Sequence, residues 1–259
     1  MPGRDLDLLS EAAREAGAIA RRFFEAGTAE SWDKPDAAGP VTDADLAVNG
    51  MLSAELRRAR PDYGWLSEES EDGASRLGDE RVFIVDPIDG TRSFIAGENA
   101  WAHSLAVVER GEVVAGVVYL PMMDKLYAAE RGGGATLNGA AIKVARTKDL
   151  SAATVLSAKP NFADKHWKNG QPPEVKRAYR PSLAYRLCLV AEGQFDAMLT
   201  LRPTWEWDIA AGDLILREAG AVTGDRAGRD LRFNNRLPQV DGVVAGNAAL
   251  HAALTKALA

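Results

Sequence analysis

The chain has 259 residues, of which 31 are basic and 37 acidic, for a formal net charge of −6. That length supports one large domain or two smaller ones sharing an interface, and a hydrophobic content of 46% excludes disorder as the main state. The acidic balance argues against a nucleic-acid binder that works mainly through charge.

The opening Met1-Pro2-Gly3-Arg4-Asp5-Leu6-Asp7 places acid where a signal peptide needs an apolar run. No stretch approaches the ~18 apolar residues of a membrane span, so a cytoplasmic location with no membrane partner is expected. From Leu9 through Ala12, Ala16, Ile19 and Phe23, apolar residues recur at three- and four-residue steps, which predicts an amphipathic helix closed by Gly27. A loop through Pro35 and Pro40 follows. A second helix is expected from Thr42 to Ala59, capped by Thr42 or Asp43, with Leu46, Met51, Leu52 and Leu56 inward. The acidic stretch Glu68 to Glu80 reads as a mobile loop.

Val82 to Val85 has the look of a short buried strand. Ser104 to Val108 and Val113 to Leu120 flank a hairpin turn at Arg110-Gly111, and Leu126 to Ala129 adds another strand. Beyond residue 150 the pattern alternates: strand Thr154 to Ser157, helix Leu183 to Ala191, strand Phe195 to Leu199, helix Asp208 to Ala219. A strand at Gly242 to Ala245 and a helix at Ala248 to Leu258 complete it. Residues 1–150 therefore read as an α+β half and 151–259 as an α/β half. Cys188, the single cysteine, excludes an internal disulfide, and its neighbours Leu187, Leu189 and Val190 mark it as a core thiol.

The sharpest segment is Val85-Asp86-Pro87-Ile88-Asp89-Gly90-Thr91. An apolar strand ends by delivering two carboxylates, stiffened by Pro87 and followed by the amide donors of Gly90 and Thr91. Acids beside anion donors make chemical sense when a divalent cation sits between them. Two residues between the acids is one too many for the nucleophile pattern of haloacid dehalogenases. Other carboxylates are partners in waiting. Glu68-Glu69 taken alone is a solvated pair, Asp208 taken alone is a helix cap, and Asp43 and Asp45 suit a helix's first turn. Oxygen ligands without a His or Cys cluster select Mg²⁺, Mn²⁺ or Ca²⁺ over zinc. His103, His166 and His251 are scattered and show no ligand spacing. No nucleophile elbow, Walker loop or dinucleotide fingerprint is present.

The ordered set Pro40-Val41-Thr42-x-x-Asp45, Ser67-Glu68-Glu69-Ser70, Asp86-Pro87-Ile88-Asp89-Gly90-Thr91 and Trp207-Asp208-x-Ala-x-Gly resembles the inositol monophosphatase family of magnesium-dependent, lithium-sensitive phosphatases. The resemblance covers nearly the whole chain. It implies an αβαβα layered sandwich, a homodimer, and about two or three Mg²⁺ per site. By that similarity Glu68, Asp86, Asp89, Asp208 and the Ile88 carbonyl would ligate metal, and Asp45 would touch a metal-bound water. Gly90 and Thr91 would hold phosphate, Glu68 and Thr91 would orient the attacking water, and Lys34 aligns with a lysine near the entrance. The implied reaction is in-line, metal-assisted attack of water on a phosphomonoester.

Family members acting on inositol phosphates carry an acid about seven residues before the Trp-Asp aspartate. Here that place is held by Leu201 or Thr200, and Glu206 is displaced from it. The segments Ser182 to Gly193 and Arg202-Pro203-Thr204 are similar to the bacterial 3′(2′),5′-bisphosphate nucleotidase branch, which implies adenosine 3′,5′-bisphosphate as substrate. Arg202 would meet its second phosphate, and Tyr185 or Trp205 would offer a flat surface to its base. Two other readings stand beside this one: an inositol, histidinol or sugar phosphate phosphatase, and a non-enzymatic RNA- or polymerase-associated role. The intact acid set argues against the last, so a small phosphorylated substrate is expected and nucleic acid is not.

Overall fold

The computed structural model describes residues 4–35 and 39–259. The opening residues 1–3 and the middle of the Pro35–Pro40 loop lie outside the described residues. The chain begins with α1 (Asp5–Ala26), whose buried stripe of Leu9, Ala12, Ala13, Ala16 and Ala20 follows the helical period. Gly27 ends it at φ 61°, donating its N–H back to the last turn. A short hairpin of β1 (Ser31–Asp33) and β2 (Pro40–Thr42) leads to α2 (Asp43–Ala59). Thr42 is the cap: its hydroxyl accepts from the Asp45 amide while the Asp45 carboxylate accepts from the Thr42 amide.

Next come β3 (Gly64–Ser67), β4 (Arg81–Asp89), the short helix α3 (Thr91–Ile95), β5 (Ala102–Glu109), β6 (Glu112–Leu120) and β7 (Lys125–Glu130). With β8 (Ala135–Leu137) and β9 (Ala140–Ala141) they form a seven-stranded sheet in the order β3-β4-β5-β6-β7-β8-β9. It is antiparallel throughout except for the parallel β3–β4 pair.

The second sheet has the order β11-β10-β12-β14-β13, built from β10 (Thr154–Leu156), β11 (Lys176–Ala178), β12 (Ala197–Trp205), β13 (Val222–Gly224) and β14 (Gln239–Gly246). β10 runs parallel to β11 and β12, and β14 antiparallel to β12 and β13. The helices α4 (Leu183–Ala191), α5 (Ala210–Glu218) and α6 (Ala248–Ala257) complete the fold.

Strand alternation divides the core. On β4, Phe83 and Val85 meet α1 and α2, whereas Val82 and Ile84 face the opposite layer with α4 and α5. That middle layer is covered on its far side by the second sheet, whose outer face packs Val155, Leu199 and Val244 against Leu250 and Leu254 of α6. The result is an αβαβα sandwich. Among the described residues no helix is long and apolar enough to cross a membrane.

Four local expectations need correction. Leu46 is 45% exposed, because it lies off the helical stripe that buries Ala44, Asp45, Val48, Leu52 and Leu56. The Glu68–Glu80 stretch is anchored: Arg76 in its 3₁₀ turn is buried and bonded to Asp72, Asn234 and the Asn235 carbonyl. The strand expected at Phe195 to Leu199 begins at Ala197 and runs on to Trp205, because β14 pairs with it on both sides of a bulge at Leu201-Arg202. Asp208 does not cap α5, since the helix starts at Ala210 and the Ile209 and Ala210 amides bond to the Glu206 carbonyl.

Candidate active site

A cleft of about 750 Å³ opens where β3 and β4 end beside the turn before α5. Glu68, Asp86, Ile88, Asp89, Gly90, Thr91 and Asp208 line it together. Carboxylate oxygens of Glu68, Asp86 and Asp208 all lie within 4.8 Å of one another. The parallel register that pairs Ser67 with Val85 sets Glu68 next to Asp86, and the Glu68 amide bonds to the Val85 carbonyl at 3.2 Å. Asp89 is held differently. Its Oδ2 accepts from the Ser182 hydroxyl at 2.7 Å and the Ala184 amide at 2.6 Å, so one of its oxygens is committed to the start of α4.

Crowding buried acids raises the cost of ionising each one. Burial pushes Asp86 and Asp208 well above the ordinary carboxylate range, and their acidic neighbours add to the shift. Burial also raises Glu68, opposed by the Lys34 ammonium, which donates to Glu68 Oε1 at 2.6 Å and to Glu69 Oε1 at 2.8 Å. Lys34 is thus bound to the acid cluster itself. Asp86 Oδ1 is buried without a hydrogen-bond partner. An all-oxygen donor set with an orphaned carboxylate oxygen fits a hard divalent cation and does not suit a soft one.

Asp45 stands behind Thr91 and off the cleft wall. The Thr91 hydroxyl lies 3.1 Å from the Ile88 carbonyl and 3.4 Å from Asp45 Oδ1. Burial pushes Asp45 up to about 7, against the hydrogen bonds from Thr42 that pull it down. Gly90 bends β4 into α3 at φ 103°, and a Cβ there would meet the Ala100 carbonyl oxygen at 3.2 Å. Gly90→Ala should therefore cost about 1–3 kcal/mol, read as a fall in the melting temperature of about 2–4 °C per kcal/mol.

The other wall of the cleft is basic and aromatic. Arg92, Arg186, Arg202, Tyr179 and Trp205 line it. Arg186 is nearly buried, with its guanidinium 5.1 Å from the Tyr179 ring centre. Arg202 reaches within 4.0 Å of Asp208. Trp205 stacks on Trp207 at 4.7 Å, which leaves one indole face for anything else. Tyr185 does not belong to this wall. It is only 7% exposed, beneath Lys125, whereas Tyr179, absent from the sequence expectations, is 50% exposed at the rim. The α4 periodicity turns Tyr185 inward and Arg186 toward the cleft. Among the described residues of that segment no acid takes the missing place: Thr200 and Leu201 are buried, and Glu206 accepts from both the Asn234 and Asn235 amides.

Fold and cleft define a layered protein of mixed α and β structure whose carboxylate cluster could hold a metal ion. The family model described as the inositol monophosphatase family matches residues 5–259. An "Inositol-1-monophosphatase" of Mesorhizobium japonicum is 37% identical over 98% of this chain and 95% of its own length. A "Nus factor SuhB" of Xylella fastidiosa is 30% identical over 98% and 94%. The crystal structure of the extragenic suppressor protein suhB from Bartonella henselae superposes with a TM-score of 0.82 at 31% identity, covering 96% of each chain. The chain belongs to the inositol monophosphatase family and is a phosphatase of that metal-dependent class.

Proposed function

We propose that this protein is a magnesium-dependent phosphomonoesterase acting by direct attack of water, with adenosine 3′,5′-bisphosphate preferred over inositol 1-phosphate. The meeting of three carboxylates within 4.8 Å, one with a buried unpartnered oxygen, carries the chemistry. Glu68, Asp86 and Asp208 would hold the cation, with Asp89 and the Ile88 carbonyl beside them. When bound, magnesium supplies positive charge to the phosphoryl oxygens and acidifies water.

The chain's own groups do the rest. The Gly90 and Thr91 amides open the first turn of α3, where no preceding carbonyl is in helical reach, and hold the phosphate oxygens. The Thr91 hydroxyl stands between the cleft and Asp45, so it can accept a proton from water and pass its own to Asp45 Oδ1. Lys34 restrains Glu68 by donating to its Oε1.

The basic wall supports the substrate preference. Arg186 and Arg202 suit a second phosphate, and the Tyr179 ring and free Trp205 face suit a flat base. An inositol ring would find no carboxylate at Thr200 or Leu201, and each hydroxyl left unpaired costs about 1–3 kcal/mol. The second reading, inositol 1-phosphate, is favoured by the name of the Mesorhizobium japonicum relative. Phosphate release across both substrates, with and without Mg²⁺, tests both. We expect no turnover without the cation and a higher kcat/KM on the nucleotide. Arg202→Ala should lose about 10- to 100-fold on the nucleotide, with little change on inositol 1-phosphate. Equal or better hydrolysis of inositol 1-phosphate by the parent would overturn the preference and leave the phosphatase standing.

A further inference from the structure

One strand touches both halves of the carboxylate cluster, and it contributes no ligand. On β4 the ladder to β5 breaks between Asp86, opposite Ser104, and Asp89, opposite Ala102. Pro87 and Ile88 form the bulge between, without cross-strand partners. Into that bulge projects His103, fully buried, with Nδ1 in hydrogen-bond contact with the Pro87 carbonyl oxygen. A carbonyl only accepts, so Nδ1 carries the proton. Nε2 is buried with no partner, so the ring engages the bulge through one atom alone.

The next residue works on the opposite face of the sheet. Ser104, also buried, donates its hydroxyl to the Trp207 carbonyl at 2.8 Å. That carbonyl belongs to the peptide leading into Asp208. Because Ser104 is the cross-strand neighbour of Asp86, its side chain shares the face of the Asp86 carboxylate. One hydroxyl therefore ties the strand beside Asp86 to the backbone of Asp208, across 103 residues of sequence.

We propose that His103 and Ser104 are positioning residues for the cation site. His103 fixes the Asp86–Asp89 bulge through the Pro87 carbonyl, and Ser104 fixes the spacing of Asp208 from Asp86 through the Trp207 carbonyl. This rests on the carboxylate cluster being a divalent-cation site. Groups that orient ligands in this way commonly change metal affinity by about 10- to 100-fold when removed.

The test uses the full chain and Mg²⁺ alone as probe, following the melting temperature across a Mg²⁺ titration with no substrate present. Ser104→Ala and His103→Leu should each need about tenfold more Mg²⁺ than the parent for half the stabilisation. His103→Asn should return the midpoint to within about threefold, because an Asn Nδ2 stands as far from Cβ as the histidine Nδ1 does. If the metal-free Ser104→Ala protein is unfolded, Ser104→Cys, close in volume and only a weak donor, takes its place with the same expected shift. At fixed sub-saturating Mg²⁺, kcat should fall while KM for the phosphomonoester stays within about twofold. A parent midpoint in Ser104→Ala, or identical shifts in His103→Leu and His103→Asn, overturns the positioning roles. Absence of any Mg²⁺ stabilisation in the parent overturns the cation reading on which they rest.

Discussion

Asp86→Asn should remove turnover by more than about a hundredfold at saturating Mg²⁺, and its metal-free form should melt above the metal-free parent. Both effects come from one buried carboxylate. Asp86 has an unpartnered oxygen and shares its surroundings with Glu68, Asp89 and Asp208. Without a cation the parent pays for like charges out of water, and the amide relieves that repulsion while keeping the shape. With a cation the order reverses, because a ligand present at 100 times its dissociation constant stabilises by about 2.7 kcal/mol and the variant forfeits most of this. Phosphate release and thermal melting, each with and without Mg²⁺, check the pair of signs. Retention of most activity, or a metal-free melting temperature below the parent's, contradicts the site.

Asp45→Asn should give a pH-dependent gain in metal-free stability together with loss of turnover. The Asp45 carboxyl is raised from 3.8 to about 7, so between those values the unfolded chain releases a proton that the folded chain keeps. Folding through this group is favoured at low pH and loses ground as pH rises toward 7. The variant lacks the titration. Its advantage over the parent should therefore grow by up to about 1.4 kcal/mol per pH unit from roughly pH 4 to 7, then level off. His103, lowered to about 4 by burial, acts in the opposite sense below about 6.5, but it is present in both proteins and cancels in the difference. Denaturant melts of both chains at pH 5, 6, 7 and 8 without divalent cation would show the trend. A difference independent of pH would place the Asp45 titration outside this range.

Loss of activity in Asp45→Asn would separate a proton-accepting role from a structural one. The substituted side chain still offers an amide oxygen to the Thr42 N–H, so the cap of α2 survives. What disappears is the proton-accepting oxygen 3.4 Å from the Thr91 hydroxyl.

By itself the sequence determined most of the longer elements and the motif residues. Short strands such as β1, β2, β8, β9, β11 and β13 carry too few residues to show a period. Apolar periodicity marks α1, α4 and the β4–β6 strands because burial follows the local repeat of the backbone, and the start of α2 is marked by Thr42 or Asp43, between which the structure chooses Thr42. The Asp86-Pro87-Ile88-Asp89-Gly90-Thr91 run was legible because strand, bulge and turn are contiguous. Tertiary structure decided whatever depends on which layer covers which face. Which side of α2 meets the core leaves Leu46 exposed, and layers covering α4 on all sides bury Tyr185. The approach of Asp208 to Asp86, the Lys34 bridge to Glu68 and the grips of His103 and Ser104 join segments far apart in the chain. Their distances are set by sheet register and layer packing, which no local pattern encodes.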